Sequence, residues 1–229
     1  MVLDIEKYTF RNELLLELLP KQIKKELLSI STFKKLKKRR LLYREGTFPK
    51  GVYIIQKGKV KIFQTNSDGR SQIMYIYQKG DILGYRPMIS NDLHPVTAEA
   101  LEELSYFFIP REHFLKTLYE HPEFMKLLLA ALSHEFAVWI NNITVFAQQP
   151  VKQRVALGLL ILQNKYRQKG AFSEINLSRD DFASYIGTVK ETLVRVLKEF
   201  KVEGWIVTKG RNITITDYRA IERIASGTN

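Results

Sequence analysis

The hydrophobic rhythm of the chain changes several times, and each change predicts a different kind of structure. Over residues 1–30 apolar positions recur at helical spacing among acids and lysines, which predicts amphipathic helix. From about Lys38 to Pro110 the period shortens to two. LLYREG, GVYIIQKG, KVKIFQ and QIMYIYQKGD alternate apolar and polar residues, and glycines stand at 46, 51, 58, 69, 80 and 84. Short alternating runs at that spacing predict a compact antiparallel barrel or sandwich. NSDGR and QKGD supply the positive-φ positions that hairpins need. The basic run FKKLKKRR, 33–40, reads as a solvated stretch entering the first strand.

Helical periodicity then returns over roughly 122–147, opened by Pro122 in a first-turn position. Met125, Leu129, Leu132, Phe136, Trp139, Ile143 and Phe146 alternate spacings of four and three, the a/d pattern of a heptad seam. A second apolar set, Phe124, Leu128, Ala131, Val138 and Val145, lies beside the first. Internal packing needs one stripe; two adjoining stripes predict a dimer seam. AQQPVKQ, 147–153, breaks the helix, because Pro150 removes a donor and disfavours α for Gln149.

Beyond that break the pattern predicts a helix over 151–168, a helix pair over 179–201 and a hairpin, WIVTKGRNITITD. Ser178 is placed to cap the first helix of the pair, with Asp181 three residues on and Leu177 and Phe182 in staple positions. Gly187 makes the tight turn. In GTVKETLVRVLKEF, Leu193, Val196, Leu197 and Phe200 share one face; Lys190, Glu191, Val194, Arg195 and Lys198 share the other. Helix, short glycine turn, helix and basic-tipped hairpin make a winged helix-turn-helix, whose second helix enters the major groove.

Composition narrows the class. There is no cysteine among the 229 residues, which excludes disulfides and cysteine-ligated clusters. Apolar runs are broken well before 18 residues, so no membrane span is expected, and the N-terminus lacks the pattern of a signal peptide. A cytoplasmic location fits best. Net charge is +12, and it is densest from Val151 onward, with 14 basic against 8 acidic residues. A polyanionic partner suits that balance.

The polar face of 188–200 carries matching chemistry. Arg195 can donate in parallel to guanine N7 and O6, Glu191 can accept from cytosine N4, and Lys190 can reach another guanine or a phosphate. Thr192 and Lys198 flank them as phosphate candidates. Two plainer readings stay open: Glu191 and Arg195 as an ordinary i,i+4 ion pair, or Glu191 closing a capping box with Thr188.

Over nearly its whole length the chain resembles the Crp–Fnr family of bacterial transcription regulators. The resemblance is carried by the glycine ladder ending in GDILG (80–84), the long helix, PVKQRVALGLL (150–160) and LSRDDFASYIGTVKETLVRVLKEFKVEGWI (177–206). It implies an α+β fold: an N-terminal antiparallel β-roll of jelly-roll type with flanking helices (1–121), a long dimerisation helix and hinge (122–149) and a C-terminal winged helix-turn-helix (150–229). Family members commonly read E-T-x-x-R in the recognition helix, here Glu191, Thr192 and Arg195. By that likeness Glu191 and Arg195 read a TGA-type half-site core, modulated by Lys190. Backbone contacts are expected from Ser178, Thr188, Thr192, Lys198, Lys209, Arg211 and Lys152. Val189 stands where a small hydroxylated residue is usual, leaving Thr188 as the expected cap.

The effector pocket departs further from the family. It would be lined by Gly80, Gly84, Tyr85, Arg86, His94 and Thr97. Cyclic-AMP-binding members have a glutamate where this chain has Tyr85, and an Arg-Ser or Arg-Thr pair where it has His94-Pro95. Without a fixed guanidinium a buried phosphate has no bidentate partner, so cyclic AMP is not expected. Arg86 is the nearby cation, either an anion-binding residue or a structural arginine tied to a carbonyl. The histidines at 94, 113, 121 and 134 read as surface or packing residues, so no haem, iron–sulfur cluster or metal is expected, and the effector is unknown.

The expected function is a homodimeric, non-enzymatic regulator of transcription that binds double-stranded DNA at an inverted repeat, with RNA polymerase as a further partner and no membrane. A signal would act by shifting the domain angle at 147–153. A winged helix turned protein-interaction module and a cupin-type barrel enzyme are the alternatives. The enzyme would need a His–carboxylate metal cluster, and only His94 lies in the barrel segment.

Overall fold

A computed structural model describes residues 3–10, 12–166 and 174–227, without the side chains of 12–14. The chain forms two compact units: residues 11–135, and residues 136–229 joined by 1–10.

In the first unit, α1 (Asn12–Leu18) and α2 (Lys21–Ser29) replace the single N-terminal helix that periodicity suggests, because Pro20 separates them. Eight strands follow: β1 (Thr32–Leu36), β2 (Leu41–Tyr43), β3 (Gly51–Lys57), β4 (Val60–Thr65), β5 (Ser71–Tyr77), β6 (Ile82–Leu83), β7 (Thr97–Ala100) and β8 (Leu104–Pro110), with α3 (Arg86–Ile89) after β6. They make two four-stranded antiparallel sheets, ordered β1-β8-β3-β6 and β2-β7-β4-β5. The basic run therefore does not merely lead into a strand. Thr32–Leu36 is itself an edge strand paired to β8, its exposed lysines blunting that edge.

Alternation along β3 divides its residues between two environments. Val52 and Ile54, with Ile82 and Ile109, belong to a core shared with Leu16, Ile23 and Leu27 of the N-terminal helices, Phe114 of α4 (Arg111–Glu120) and Phe124 of α5 (Pro122–Gln148). Tyr53 faces the other sheet: its hydroxyl donates to the Leu42 carbonyl at 3.3 Å, and its ring lies 5.7 Å from that of Tyr43. This interior is rich in phenols, with Tyr43, Tyr53, Tyr75, Tyr77 and Tyr106 gathered from both sheets.

The long helix extends to Gln148, and Pro150 separates it from α6 (Val151–Tyr166); the expected residues 167 and 168 lie outside the described residues. The second unit continues with β9 (Ile175–Asn176), α7 (Arg179–Ile186), α8 (Lys190–Val202), β10 (Ile206–Lys209), β11 (Asn212–Ile215) and α9 (Tyr218–Ser226). The expected hairpin is thus the outer part of a three-stranded sheet ordered β10-β11-β9. Residues 3–10 also pack in this unit. Phe10 sits edge-on to Trp139 with centroids 5.6 Å apart, and Asn141 Nδ2 donates to the Lys7 carbonyl at 3.0 Å.

Candidate nucleic-acid interface and sensor interior

The helix pair is built as the capping residues dictate. Ser178 caps α7: its Oγ accepts from the Asp181 amide at 3.0 Å and donates to Asp181 Oδ2 at 2.5 Å. Leu177 and Phe182 are both buried behind that cap. The helix ends at Gly187, whose φ of 69° lies in the left-handed region that a Cβ disfavours. Behind the pair, Gly158 of α6 lets α7 approach closely, since a Cβ there would fall 2.3 Å from Ile186 Cδ1. Arg154 of α6 donates through Nη1 to the carbonyls of Ile186 and Gly187, at 2.8 and 3.0 Å, and so satisfies the turn from behind.

The expected cap of α8 is corrected. Val189 occupies the N-cap position without a side-chain hydrogen bond, and the Thr188 amide is instead spent on the Ala183 carbonyl, closing α7. The capping-box reading of Glu191 falls with it.

Helix α8 buries Leu193, Val196, Leu197 and Phe200 and turns Glu191, Val194, Arg195 and Lys198 to solvent. Among the described residues the Glu191 carboxylate and the Arg195 guanidinium have no ion pair or hydrogen bond, so the alternative of a mutual i,i+4 pair is not formed. Lys190 is engaged: its ammonium lies 3.1 Å from Asp180 of α7. Both side chains are exposed, so this pair is worth at most about 1 kcal/mol and yields readily to a phosphate. Lys152 pairs similarly with Glu199 at 3.0 Å. Thr192 is half-buried on α8, and Lys209 and Arg211 are exposed at the tip of the β10–β11 hairpin. Arg179 and Arg154, both tied to main-chain carbonyls of this surface, carry no pattern that marks them in the sequence.

The interior of the first unit holds a buried polar cluster. Tyr85, fully buried, donates from its hydroxyl to Glu135 Oε1 at 2.5 Å. Arg86 places Nε and Nη2 each 2.6 Å from Glu135 Oε2, and its Nη1 donates to the Tyr77 hydroxyl at 2.9 Å. Burial raises the phenols of Tyr85, Tyr77 and Tyr43 above their ordinary range, which keeps them protonated. Burial works against the Arg86 charge, but the facing oxygens of Tyr77, Tyr85 and Glu135 outweigh it. Arg86 is therefore a structural arginine, tied to a carboxylate and not to the carbonyl considered above. Glu135 belongs to no motif, but its sequence carries a signal: it stands at 131, 135, 138 spacing on an apolar stripe of α5, where an acid is out of place.

His94, also buried, stacks on Tyr43 with centroids 3.8 Å apart, and burial lowers its pKa to about 4. Thr97 accepts from the Glu45 amide at 3.1 Å, and Gly80 and Gly84 turn the chain at φ 91° and 93°. No group of three or more metal-ligating side chains forms among the described residues.

Helix α5 displays an apolar stripe of its own. Leu129, Phe136 and Ile143 are 58%, 67% and 63% exposed, with Ile140 and Phe146 beside them, while Met125 and Leu132 are partly covered by the core of the first unit. Trp139 is turned toward Phe10.

Comparison with known proteins agrees with both halves. Residues 33–121 match the cyclic nucleotide-binding domain family and residues 153–224 the Crp-like helix-turn-helix domain. The chain is 27% identical over 195 residues to the transcriptional activator protein Anr of Pseudomonas protegens, covering 84% of this chain and 80% of that protein. It is also 27% identical over 199 residues to the fumarate and nitrate reduction regulatory protein of Escherichia coli K12, covering 85% and 79%. Among solved structures it resembles FixK2 from Bradyrhizobium japonicum, with a TM-score of 0.78 at 24% identity, over 85% of this chain and 97% of that one. The c-di-GMP-responsive regulator CLP of Xanthomonas campestris has the same fold, with a TM-score of 0.73 at 19% identity, over 86% and 99%. A nucleotide-binding-type roll in front of a winged helix, matched across both domains, makes the chain a member of the Crp–Fnr family of DNA-binding transcription regulators.

Proposed function

We propose that this regulator acts in the cytoplasm as a homodimer, reading an inverted-repeat operator with TGA-type half-sites and answering to a signal other than cyclic AMP. The observation that carries the reading is the pair Glu191 and Arg195, four residues apart on the solvent face of α8 and unpaired among the described residues. A carboxylate for cytosine N4 and a fork for guanine N7 and O6 are the groups that direct readout needs. Ser178, Thr188, Thr192, Lys198, Lys152, Lys209 and Arg211 surround them as phosphate contacts, with Lys190 released from Asp180 on binding. The exposed stripe of α5 supports a second copy as partner, and two copies present two helices about 34 Å apart. RNA polymerase is the further partner that regulation of transcription calls for.

The self-paired Arg86 supports the exclusion of cyclic AMP, since a cyclic phosphate would have to displace Glu135 to gain a guanidinium. Selection from a random duplex pool with the purified protein tests the reading. It stands if an inverted TGA-type repeat is enriched, with or without cell extract, and binding weakens steeply with salt. Failure to enrich any site under both conditions sinks it and favours a protein partner for the winged helix.

A further inference from the structure

The hairpin that carries Lys209 and Arg211 is held unevenly. At the end next to its turn, β11 pairs with β9 at Asn212↔Asn176 and Ile213↔Ile175. Asn176 Nδ2 donates to Asn212 Oδ1 at 2.7 Å, and Asn212 Nδ2 donates to Glu174. That support stops at Asn212. The two loop residues beyond it, Gly210 and Arg211, are exposed and lie outside the described strand pairings, and Gly210 adopts a φ of 58°.

A side chain from α7 reaches the tip. Arg179, the first residue of α7, donates through Nη1 to the Arg211 carbonyl at 3.1 Å and through Nη2 to the Gly210 carbonyl at 3.2 Å. The planar fork meets two consecutive carbonyls with two nitrogens held in a fixed relative geometry, where a lysine would offer a single ammonium on a flexible stem. Its guanidinium is half-buried between helix and hairpin. Because α7 also sets the start of α8 through the Gly187 turn, a fork from α7 to the tip fixes the wing relative to the recognition helix.

We infer that Arg179 is a positioning residue that clamps the wing, holding the main chain of its tip so that Lys209 and Arg211 are already placed for backbone phosphates before binding. Ordering the tip in advance removes a cost that would otherwise fall on association. The clamp exists in the free protein; only its effect on affinity rests on the DNA-binding reading.

Two measurements on the full-length protein test it. In the free protein, amide exchange of the 205–216 peptide should quicken in Arg179→Ala and in Arg179→Lys, with α6 and α8 peptides as protected as in the parent. Unchanged exchange in the wing overturns the clamp whether or not the protein binds DNA, and Arg179→Lys keeps the test alive if the alanine variant misfolds. On the selected duplex, Arg179→Ala should lose about tenfold in affinity in the parent and almost nothing in a Lys209→Ala/Arg211→Ala background. Equal losses in the two backgrounds would make Arg179 a phosphate contact in its own right and overturn the inference. A parent that binds no duplex condemns the DNA-binding reading alone, and the exchange result then decides the clamp.

Discussion

Two nitrogens of Arg86 approach a single oxygen of Glu135, each at 2.6 Å, with the carboxylate only 2% exposed. The pair joins the turn after β6 to the long helix inside the first unit, and the Tyr85 hydroxyl completes it. A charge pair so enclosed is costly to break and cheap to replace as a whole. Glu135→Ala should destabilise the first unit by about 3–5 kcal/mol, because it strands a guanidinium. Replacing both residues by leucine should recover most of that loss. Urea unfolding followed by circular dichroism measures both; an unchanged midpoint for the alanine variant contradicts the assignment.

His94 makes the stability of the same unit depend on pH. Its pKa falls from 6.5 to about 4 on folding because burial penalises the imidazolium. The unfolded chain therefore takes up the proton first as pH drops, and stability declines between about 6.5 and 4. Above 6.5 the contribution is flat. His94→Phe, which can keep the stack on Tyr43, should remove this part of the decline. A denaturation midpoint that falls equally in parent and variant over that window would refute the assignment.

The proposed dimer seam is best probed where the side chains are exposed. Phe136 and Ile143 are both more than half exposed, whereas Trp139 packs on Phe10 of its own chain. Phe136→Glu should yield monomers by analytical ultracentrifugation at micromolar protein, with little change in the thermal midpoint of the monomer. Trp139→Glu should chiefly release residues 3–10. Dimers that survive Phe136→Glu would move the interface off α5.

Base readout by α8 predicts a selective loss. Arg195→Ala should cost about 1–3 kcal/mol on the cognate duplex and flatten discrimination at one guanine, with the salt slope nearly unchanged. Lys198→Ala should weaken all duplexes alike and lower the slope by about one. An Arg195→Ala loss that is equal on random DNA would reassign that residue to a phosphate.

Local patterns carried much of the architecture. Period-two runs between glycines located β2 to β5 of the roll, the heptad spacing located α5, and Ser178, Asp181 and Gly187 marked the ends of α7, because each of these depends on residues a few positions apart. The cap of α8 is less legible, because Thr188 has the suitable side chain but closing α7 at the Gly187 turn leaves Val189 in the N-cap position. The two faces of α8 were legible, since a helix with Leu193, Val196, Leu197 and Phe200 on one side must turn Glu191 and Arg195 outward.

Tertiary structure decided which charges are spent and which are available. Arg86 and Glu135 are 49 residues apart in sequence, and Arg179 meets carbonyls 31 and 32 residues further on; no periodicity encodes such meetings. An arginine within the sequence pattern can bind an anion, close a turn or clamp a wing with the same side chain. Which of these it does depends on the oxygen that folding brings within hydrogen-bond reach of it, and for Arg86, Arg154 and Arg179 that oxygen belongs to the protein itself.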